Sequence, residues 1–173
     1  MREDTNSFDA VKSGLPEIYP RLWRYALALT GRRDWADDLA QAASLRAMEK
    51  AELFQVGTHL DRWLFTMTQR LWLNELRSRK VREGGGLVPI EDMAIPDNKP
   101  DSETNILARD VLSKVQGLPD AQRQAVFLVY VEGYSYRDAA EMMDIPIGTV
   151  MSRLAAARKR LNSQLEDVKE VAE

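Results

Sequence analysis

Four basic side chains lie close together near the end of this 173-residue chain. They are Arg153, Arg158, Lys159 and Arg160, and the stretch from Ile145 to Leu161 that holds them has no acidic residue. The whole chain is slightly acidic, with a formal net charge of -3 at pH 7. A local positive face on an acidic protein indicates a directed contact with an anion. The chemistry that these residues predict is therefore binding of phosphate groups.

Two helices and a tight break must position this basic face. Ser135 and Asp138 have the spacing of a capping box, which predicts that a helix begins near Tyr136. Asp144 tolerates the left-handed conformation that ends a helix, and Pro146 suits the first turn of the next helix. The pattern is typical of a helix-turn-helix that reads duplex DNA, although a solvated pair of amphipathic helices would share much of it.

In the second helix, Val150 and Leu154 are four residues apart and are expected to face the core. The outward side then holds Thr149, Ser152, Arg153 and Ala156. These outward side chains are the candidate contacts to bases and phosphates.

The composition excludes several other kinds of site. The chain has no cysteine and a single histidine, so disulfides, thiolate metal sites and multi-histidine metal sites are excluded. No paired carboxylates or nucleophile with a base stand out, so we expect no enzyme activity, no cofactor and no metal. We also expect a cytoplasmic protein without membrane insertion, because no run approaches the roughly 20 apolar residues that span a bilayer.

The first half of the chain has helical periodicity throughout. One predicted helix carries Leu22, Tyr25, Ala26 and Leu29 and stops at Gly31, and the next carries Leu39, Ala42, Ala43 and Ala47. Thr58 and Asp61 form a second capping-box-like pair, which predicts a long helix with Leu60, Leu64, Met67 and Leu71 on one face. No segment alternates as a strand would.

The long helix ends in a basic stretch that contains aromatic residues. Its basic residues are Arg70, Arg77, Arg79, Lys80 and Arg82, and its aromatic residues are Trp63, Phe65 and Trp72. Basic groups interleaved with aromatic rings can follow a phosphate backbone and stack on unpaired bases, whereas a single tryptophan more often packs in a core.

Residues 83–105 interrupt the helical pattern with three glycines, three prolines and an excess of acidic residues. This composition predicts a linker between two domains. The fold class that follows is all-α, with two small helical domains joined by a flexible linker and a helix-turn-helix in the C-terminal one.

Both halves together resemble a known family. The stretch from Arg21 to Lys80 is similar to conserved region 2 of bacterial extracytoplasmic-function (ECF) sigma factors, and the stretch from Leu118 to Leu161 is similar to their region 4. The resemblance implies a region 2-like domain at residues 8–82, a linker at 83–104 and a region 4-like domain at 105–165.

The resemblance also implies a role for particular residues. The contact with core RNA polymerase would be made by Asp37, Asp38, Leu39 and Gln41. The minus-10 element would be bound by Gln55, Thr58, His59, Arg62, Thr66, Gln69, Arg70 and Asn74, with His59 beside a base flipped out of the duplex. The minus-35 element would be read in the major groove by Thr149, Ser152, Arg153 and Arg158.

The function implied is that of an alternative sigma factor, which binds core RNA polymerase and promoter DNA and promotes transcription initiation. An anti-sigma factor is the expected regulatory partner. The chain departs from the family pattern at Met151 and Ala155, which leaves fewer polar side chains on the second helix of the helix-turn-helix. It also departs at residues 42–44, which implies weaker or differently tuned docking on polymerase.

Two alternatives stay open on the sequence alone. An ordinary helix-turn-helix transcription regulator would explain residues 133–161 but would leave the first half without a role. A sigma-like decoy that sequesters an anti-sigma factor would share the fold, but such decoys usually carry a receiver domain, and only a short acidic tail follows the last predicted helix.

Overall fold

The computed structural model describes residues 6–82 and 113–171, with side chains described to residue 163. The chain divides into two compact units, and we call residues 6–82 the N-terminal domain and residues 113–171 the C-terminal domain. Regular structure in these two ranges is entirely helical, which confirms the predicted all-α fold. In the same ranges, no helix is both long enough and apolar enough to cross a membrane. The predicted linker at residues 83–104 lies outside the described residues.

Three helices form the N-terminal domain: α1 (Ser7–Thr30), α2 (Arg33–Glu49) and α3 (Leu60–Arg82). Each of them packs against the other two. A short 3-10 turn, Ala51–Leu53, follows α2 and contacts α1. The apolar faces of the three helices therefore enclose one common core.

The second half of α1 is the part that the periodicity predicts correctly. Its apolar residues Leu22, Tyr25, Ala26 and Leu29 are all buried. Tyr25 stacks on Phe65 of α3, with the ring centroids 4.8 Å apart. The helix ends at Gly31, whose φ of 69° lies in the left-handed region that glycine adopts without a steric penalty.

The start of α1 was not specified by the sequence pattern, which named no residue before Leu22. The helix begins at Ser7, where the Asn6 side chain accepts a hydrogen bond from the Phe8 amide, 3.4 Å away. It continues through Pro16 and Pro20, each of which lacks the amide hydrogen of a regular helix position. Packing of α1 against α2 and α3 holds it helical despite these two breaks.

The buried face of α3 differs from the prediction. The structure buries Leu64, Phe65, Thr68, Gln69 and Trp72, whereas Leu60, Met67 and Leu71 are only half-buried. Thr68 tolerates burial because its hydroxyl donates to the Leu64 carbonyl oxygen at 2.8 Å. In α2, Leu39, Ala43 and Ala47 are buried as predicted, but Ala42 is exposed.

The C-terminal domain is built around one long helix. After a helical turn at residues 113–116 come α4 (Asp120–Val126), a π-helical turn (Phe127–Val131), α5 (Tyr136–Met143) and α6 (Ile147–Val171). Both α4 and α5 pack against α6. The shorter helices therefore fix the orientation of α6.

A buried arginine, Arg123, binds the segment that precedes α4. The Arg123 guanidinium donates to the carbonyl oxygens of Gln116 and Leu118, each at 3.0 Å, and to the Asp120 carboxylate at 2.7 Å. Burial of a charged group is tolerated only when its donors are satisfied in this way. Arg123 therefore serves the fold of the C-terminal domain.

Candidate nucleic-acid interface

The helix-turn-helix has the local geometry that the sequence predicts. The Ser135 hydroxyl accepts a hydrogen bond from the Asp138 amide at 3.1 Å, and α5 begins at the next residue, Tyr136. Asp144 ends α5 in the left-handed conformation, with φ of 53° and ψ of 48°. Helix α6 begins directly after Pro146, whose carbonyl oxygen accepts from the Thr149 amide at 2.9 Å. Each boundary is fixed by residues within a few positions of it.

Helix α6 has a buried side and an open side. Val150, Leu154 and Ala157 are completely buried, as expected for a stripe at helical spacing. Ser152 is exposed and Arg153 is half-buried, and the Ser152 hydroxyl donates to the Thr149 carbonyl oxygen at 3.0 Å. The side predicted to read DNA is therefore open in the C-terminal domain.

The basic side chains of α6 as far as Ser163 have no carboxylate partner among the described residues. Among the described residues, no carboxylate lies within ion-pair distance of Arg153, Lys159 or Arg160. Arg158 donates to the hydroxyl of Tyr130 at 3.2 Å, which is a neutral partner. Within the described part of the chain, these four positive charges are therefore not offset by a carboxylate.

Tyr130 is a site residue that the sequence reasoning missed. It lies in the π-helical turn, it is 52% exposed, and its hydroxyl accepts the hydrogen bond from Arg158. Because it accepts from Arg158, the hydroxyl keeps its own hydrogen for another acceptor. π-Helical turns recur at functional sites. This turn is seen in the structure and not in the sequence pattern, which explains why Tyr130 was not predicted.

In the N-terminal domain, a compact turn precedes α3 and carries three of the predicted minus-10 residues. Gln55, Thr58 and His59 are all exposed, and Gly57 between them has φ of 88°. The Gln55 carbonyl oxygen accepts from both the amide and the hydroxyl of Thr58, at 3.2 and 2.6 Å. The turn therefore presents the His59 side chain outward at the start of α3.

The predicted cap of α3 is wrong in detail. The helix begins at Leu60, and the His59 carbonyl oxygen accepts from the Trp63 amide at 3.2 Å, so His59 and not Thr58 is the capping residue. The Thr58 hydroxyl is used inside the turn instead. The Asp61 carboxylate pairs with Arg21 of α1 at 3.2 Å, which ties the start of α3 to α1.

The remaining predicted minus-10 residues fall into two groups. Arg70 and Asn74 are exposed and Arg62 and Thr66 are half-buried, so all four have surface in reach of DNA. Gln69 is only 6% exposed and lies in the core of the N-terminal domain. Gln69 therefore has little surface open to DNA, and its contact with the minus-10 element stays a prediction.

The aromatic residues of α3 do not form a stacking surface. Phe65 and Trp72 are buried, Trp72 lies 5.9 Å from the Trp35 ring, and the half-buried Trp63 lies 5.4 Å from the Phe54 ring. The interpretation of these rings as platforms for unpaired bases is wrong for Phe65 and Trp72. Their spacing reflects packing between helices.

Several cations of α3 are also engaged inside the N-terminal domain. Glu75 accepts from Arg79 at 2.8 Å and from Arg82 at 3.2 Å. The hydrogen bond from Arg79 lowers the pKa of Glu75, and Arg82 adds to the effect. The Arg79 guanidinium also lies over the Trp35 ring, 3.9 Å from its centroid, and Arg32 lies 4.6 Å from the same centroid.

The predicted polymerase-binding residues lie along α2. Asp37, Asp38 and Gln41 are exposed, but Leu39 is only 6% exposed and packs in the core. The Asp37 carboxylate accepts from the Trp23 ring N–H at 2.6 Å, which holds it in one orientation. The surface formed by Asp37, Asp38 and Gln41 is therefore acidic and polar, and Leu39 packs beneath it.

Comparison with known proteins covers both domains. The family models for Sigma-70 region 2 and Sigma-70 region 4 match residues 17–82 and 108–161. The ECF RNA polymerase sigma factor EcfG of Rhodopseudomonas palustris (strain TIE-1) is 31% identical over 159 residues, which cover 91% of this chain and 86% of that relative.

Two further proteins are similar over most of their length. The ECF RNA polymerase sigma factor SigW of Bacillus subtilis (strain 168) is 26% identical over 166 residues, which cover 88% of this chain and 87% of the relative. The sigma factor RpoE of Bartonella quintana, solved in complex with the anti-sigma factor NepR, superposes with a TM-score of 0.74 at 32% identity. That superposition covers 90% of this chain and 96% of RpoE.

Proposed function

This chain belongs to the extracytoplasmic-function family of RNA polymerase sigma factors, and we propose that its two domains divide promoter recognition between them. It binds core RNA polymerase, recognises the minus-35 and minus-10 promoter elements and promotes transcription initiation. The observation that carries this function is the presence of regions 2 and 4 in order on one chain, with relatives of the same kind along most of its length. The domains are assigned to residues 8–82 and 105–165, with a tether at residues 83–104.

The minus-35 element is assigned to the open side of α6. Thr149, Ser152, Arg153 and Arg158 would contact bases and phosphates from the major groove. The absence of a carboxylate partner for Arg153 among the described residues supports this, because a free guanidinium loses no internal ion pair when it binds phosphate. Tyr130 is added as the residue that holds Arg158.

The minus-10 element is assigned to the turn before α3 and to the exposed side of that helix. His59 would lie against a base flipped out of the duplex, with Gln55 and Thr58 beside it. The exposure of all three side chains on one compact turn supports this assignment. Arg62, Thr66, Arg70 and Asn74 would follow the strand along α3, and Gln69 would keep the helix in place from the core.

Core RNA polymerase would bind the exposed face of α2. Asp37, Asp38 and Gln41 supply its polar contacts, and the Trp23 hydrogen bond orients Asp37 for one of them. An anti-sigma factor is the expected regulator, since the similar RpoE was solved in complex with one. The chain is assigned to the cytoplasm, where polymerase and promoter meet, and no catalytic step is assigned to it.

The mechanism follows from the tether. Once one domain is bound to its element, the other has a high effective concentration at the second element, as for any bivalent binder. Duplex binding at minus-35 places the complex, and capture of an unstacked base at minus-10 offsets the unstacking cost of roughly a few kcal/mol. Opening is thereby favoured at one position on the DNA.

The experiment is transcription from a promoter library with purified core RNA polymerase and the full chain. We expect discrete run-off starts that require the chain and share two spaced sequence elements. A chain that fails to bind core polymerase but binds a small anti-sigma protein would be a decoy. A chain that changes the transcripts of another sigma factor from duplex sites, without starts of its own, would be an ordinary helix-turn-helix regulator.

A further inference from the structure

Helix α6 has an exposed apolar stripe beside its basic face. Ile147 and Met151 are four residues apart and are 48% and 52% exposed. Residues at this spacing lie one above the other on the same side of a helix. Two large apolar side chains therefore share one patch of open surface at the start of α6.

Packing inside the C-terminal domain does not account for the stripe. The core-facing positions of α6 are Val150, Leu154 and Ala157, and all three are completely buried. Met151 follows Val150 and is therefore rotated by about 100° away from the core. The adjacent Ser152 is exposed, so Met151 borders the side predicted to face DNA.

The charge around the stripe indicates what covers it. From Ile147 to Ser163, α6 has four basic residues and no acidic one. Arg137, Glu141 and Asp144 line the pocket beside Ile147, whereas the charged side chains that follow Met151 along α6 are all basic as far as Ser163. A surface that covers the stripe together with this basic stretch is therefore anionic and also offers an apolar group to Ile147 and Met151. The major groove of DNA meets both requirements, because its phosphates are negative and the thymine C5-methyl group is its apolar feature.

We propose that Met151 and Ile147 read thymine methyl groups in the minus-35 element. The proposal rests on the assignment of α6 to that element and adds the base that it selects. Met151 has no hydrogen-bond donor and only a weak acceptor, so it cannot read the polar edge of guanine as a cation would. Its long and flexible side chain can instead close over a methyl group.

The spacing of the stripe limits where the methyl groups lie. Four residues of helix rise about 6 Å. Base pairs are stacked about 3.4 Å apart, so the two side chains span about two base-pair steps. The element is therefore expected to present thymine methyl groups within two steps of each other.

The test replaces single thymines of the minus-35 element by deoxyuridine, which removes only the methyl group. Promoter fragments from the transcription experiment serve as the probe, and binding is measured with holoenzyme assembled from the full chain and core polymerase. We expect about fourfold weaker binding for each contacted methyl, the loss that follows from burying one such group. The penalty should occur at one or two positions only.

Variants assign the penalty to the stripe. In Met151→Ala the difference between thymine and deoxyuridine should disappear at one position, and in Ile147→Ala at a neighbouring one. Val131→Ala is the matched control, because Val131 is exposed and apolar in the same domain but lies outside α6. It should keep the full difference at every position.

Several results would overturn the proposal. If deoxyuridine binds as well as thymine everywhere while specific promoter binding persists, the stripe does not read methyl groups and the minus-35 assignment stands. If both alanine variants keep the wild-type difference between thymine and deoxyuridine, the methyl group acts through DNA shape and not through contact with the stripe. If Met151→Ala weakens only binding of an anti-sigma protein, the stripe is a protein-binding surface. If the wild-type holoenzyme shows no specific binding even to the unmodified promoter fragments, the minus-35 assignment is overturned as well.

Discussion

Arginines have different surroundings in the two domains. In the N-terminal domain, Arg79 and Arg82 share the Glu75 carboxylate, Arg32 pairs with Asp34 at 2.8 Å, and Arg79 lies over a tryptophan ring. On α6 of the C-terminal domain, no described carboxylate pairs with the basic side chains, and Arg158 has only the neutral Tyr130. A count of basic residues therefore does not show which of them can bind phosphate.

From this difference we expect the larger electrostatic part of DNA binding to come from the C-terminal domain. Each DNA phosphate that a basic side chain of α6 contacts releases counterions from the DNA, and this release favours binding. Arg79 and Arg82 would have to give up an ion pair first. We expect the N-terminal domain to recognise a flipped base at the turn before α3 and to contact the strand through the exposed Arg70, while Arg21 and Arg79 join its helices.

The largest expected effect tests whether the α3 aromatics belong to the core. Trp72→Ala should destabilise the N-terminal domain by about 3–5 kcal/mol, because it leaves a cavity beside Trp35. All four tryptophans lie between residues 23 and 72, so tryptophan fluorescence in a urea titration reports on this domain alone. The half-buried Trp63→Ala is the control with a smaller loss. Unchanged stability with weaker single-strand binding would restore the stacking interpretation.

The next effect tests whether phosphate binding belongs to α6. Arg158→Ala should weaken minus-35 duplex binding about tenfold and reduce the slope of log K against log salt by about 1. Arg79→Ala is the matched control and should leave both quantities unchanged. Fluorescence anisotropy at several salt concentrations measures them. Equal changes in the two variants would remove the difference between the domains.

A smaller effect is expected for the hydroxyl that holds Arg158. Tyr130→Phe should weaken duplex binding about threefold, which corresponds to the loss of one ordinary hydrogen bond. In the Arg158→Ala background the same change should have no effect, so a double-mutant cycle isolates the coupling. A full effect of Tyr130→Phe in that background would show that the hydroxyl acts without Arg158.

The smallest effect concerns pH and the engaged arginines. The pKa of Glu75 is lowered by Arg79 and Arg82 in the folded chain, so its ion pairs stabilise the fold above the unfolded value of about 4.3. This contribution is lost as pH falls through the lowered pKa. Glu75→Gln should therefore lower the melting temperature by about 2 °C at pH 7, a small value because the pair is exposed.

The pH dependence of that difference is its control. The gap in melting temperature between wild type and Glu75→Gln should close as the solution is acidified and the carboxyl group takes up its proton at its lowered pKa. Glu17→Gln, an exposed position of α1, provides the comparison for a glutamate outside this cluster. A gap that stays constant to pH 3 would mean that the arginines do not depend on the Glu75 charge.

Local chemistry explains why the helix-turn-helix could be predicted from sequence. Ser135 caps α5 and Asp144 ends it, and both act within a few residues of their own position. The same reasoning predicted the end of α1 at Gly31. Where one side chain decides a boundary through its own backbone contacts, the sequence is sufficient.

Contacts between helices explain the errors. The buried face of α3 is set by packing on α1 and α2, which places Gln69 and Thr68 inside and leaves Met67 half-buried. The same packing carries α1 through Pro16 and Pro20 and buries Leu39 beneath the predicted polymerase surface. The contacts of Arg79 with Glu75 and Trp35 were not predicted. The hydrogen bond between Arg158 and Tyr130 was not predicted either, because the two residues are 28 positions apart in the chain.

We expect the C-terminal domain to place the complex on the promoter and the N-terminal domain to open the DNA. His59→Ala and Arg153→Ala test this expectation as a crossed pair. His59 caps α3 through its backbone carbonyl, so the substitution removes the side chain and keeps that hydrogen bond. Both variants should retain the wild-type urea midpoint, measured by tryptophan fluorescence for His59→Ala in the N-terminal domain and by far-UV circular dichroism for Arg153→Ala in the C-terminal domain.

The decisive measurement records minus-35 duplex affinity and permanganate reactivity of minus-10 thymines in the same holoenzyme preparations. We expect Arg153→Ala to weaken duplex binding about tenfold and still to open promoters at saturating concentration. We expect His59→Ala to bind the duplex as wild type does and to open it poorly. Equal loss of duplex affinity in both variants, with opening unaffected by His59→Ala, would contradict the division of labour between the two domains.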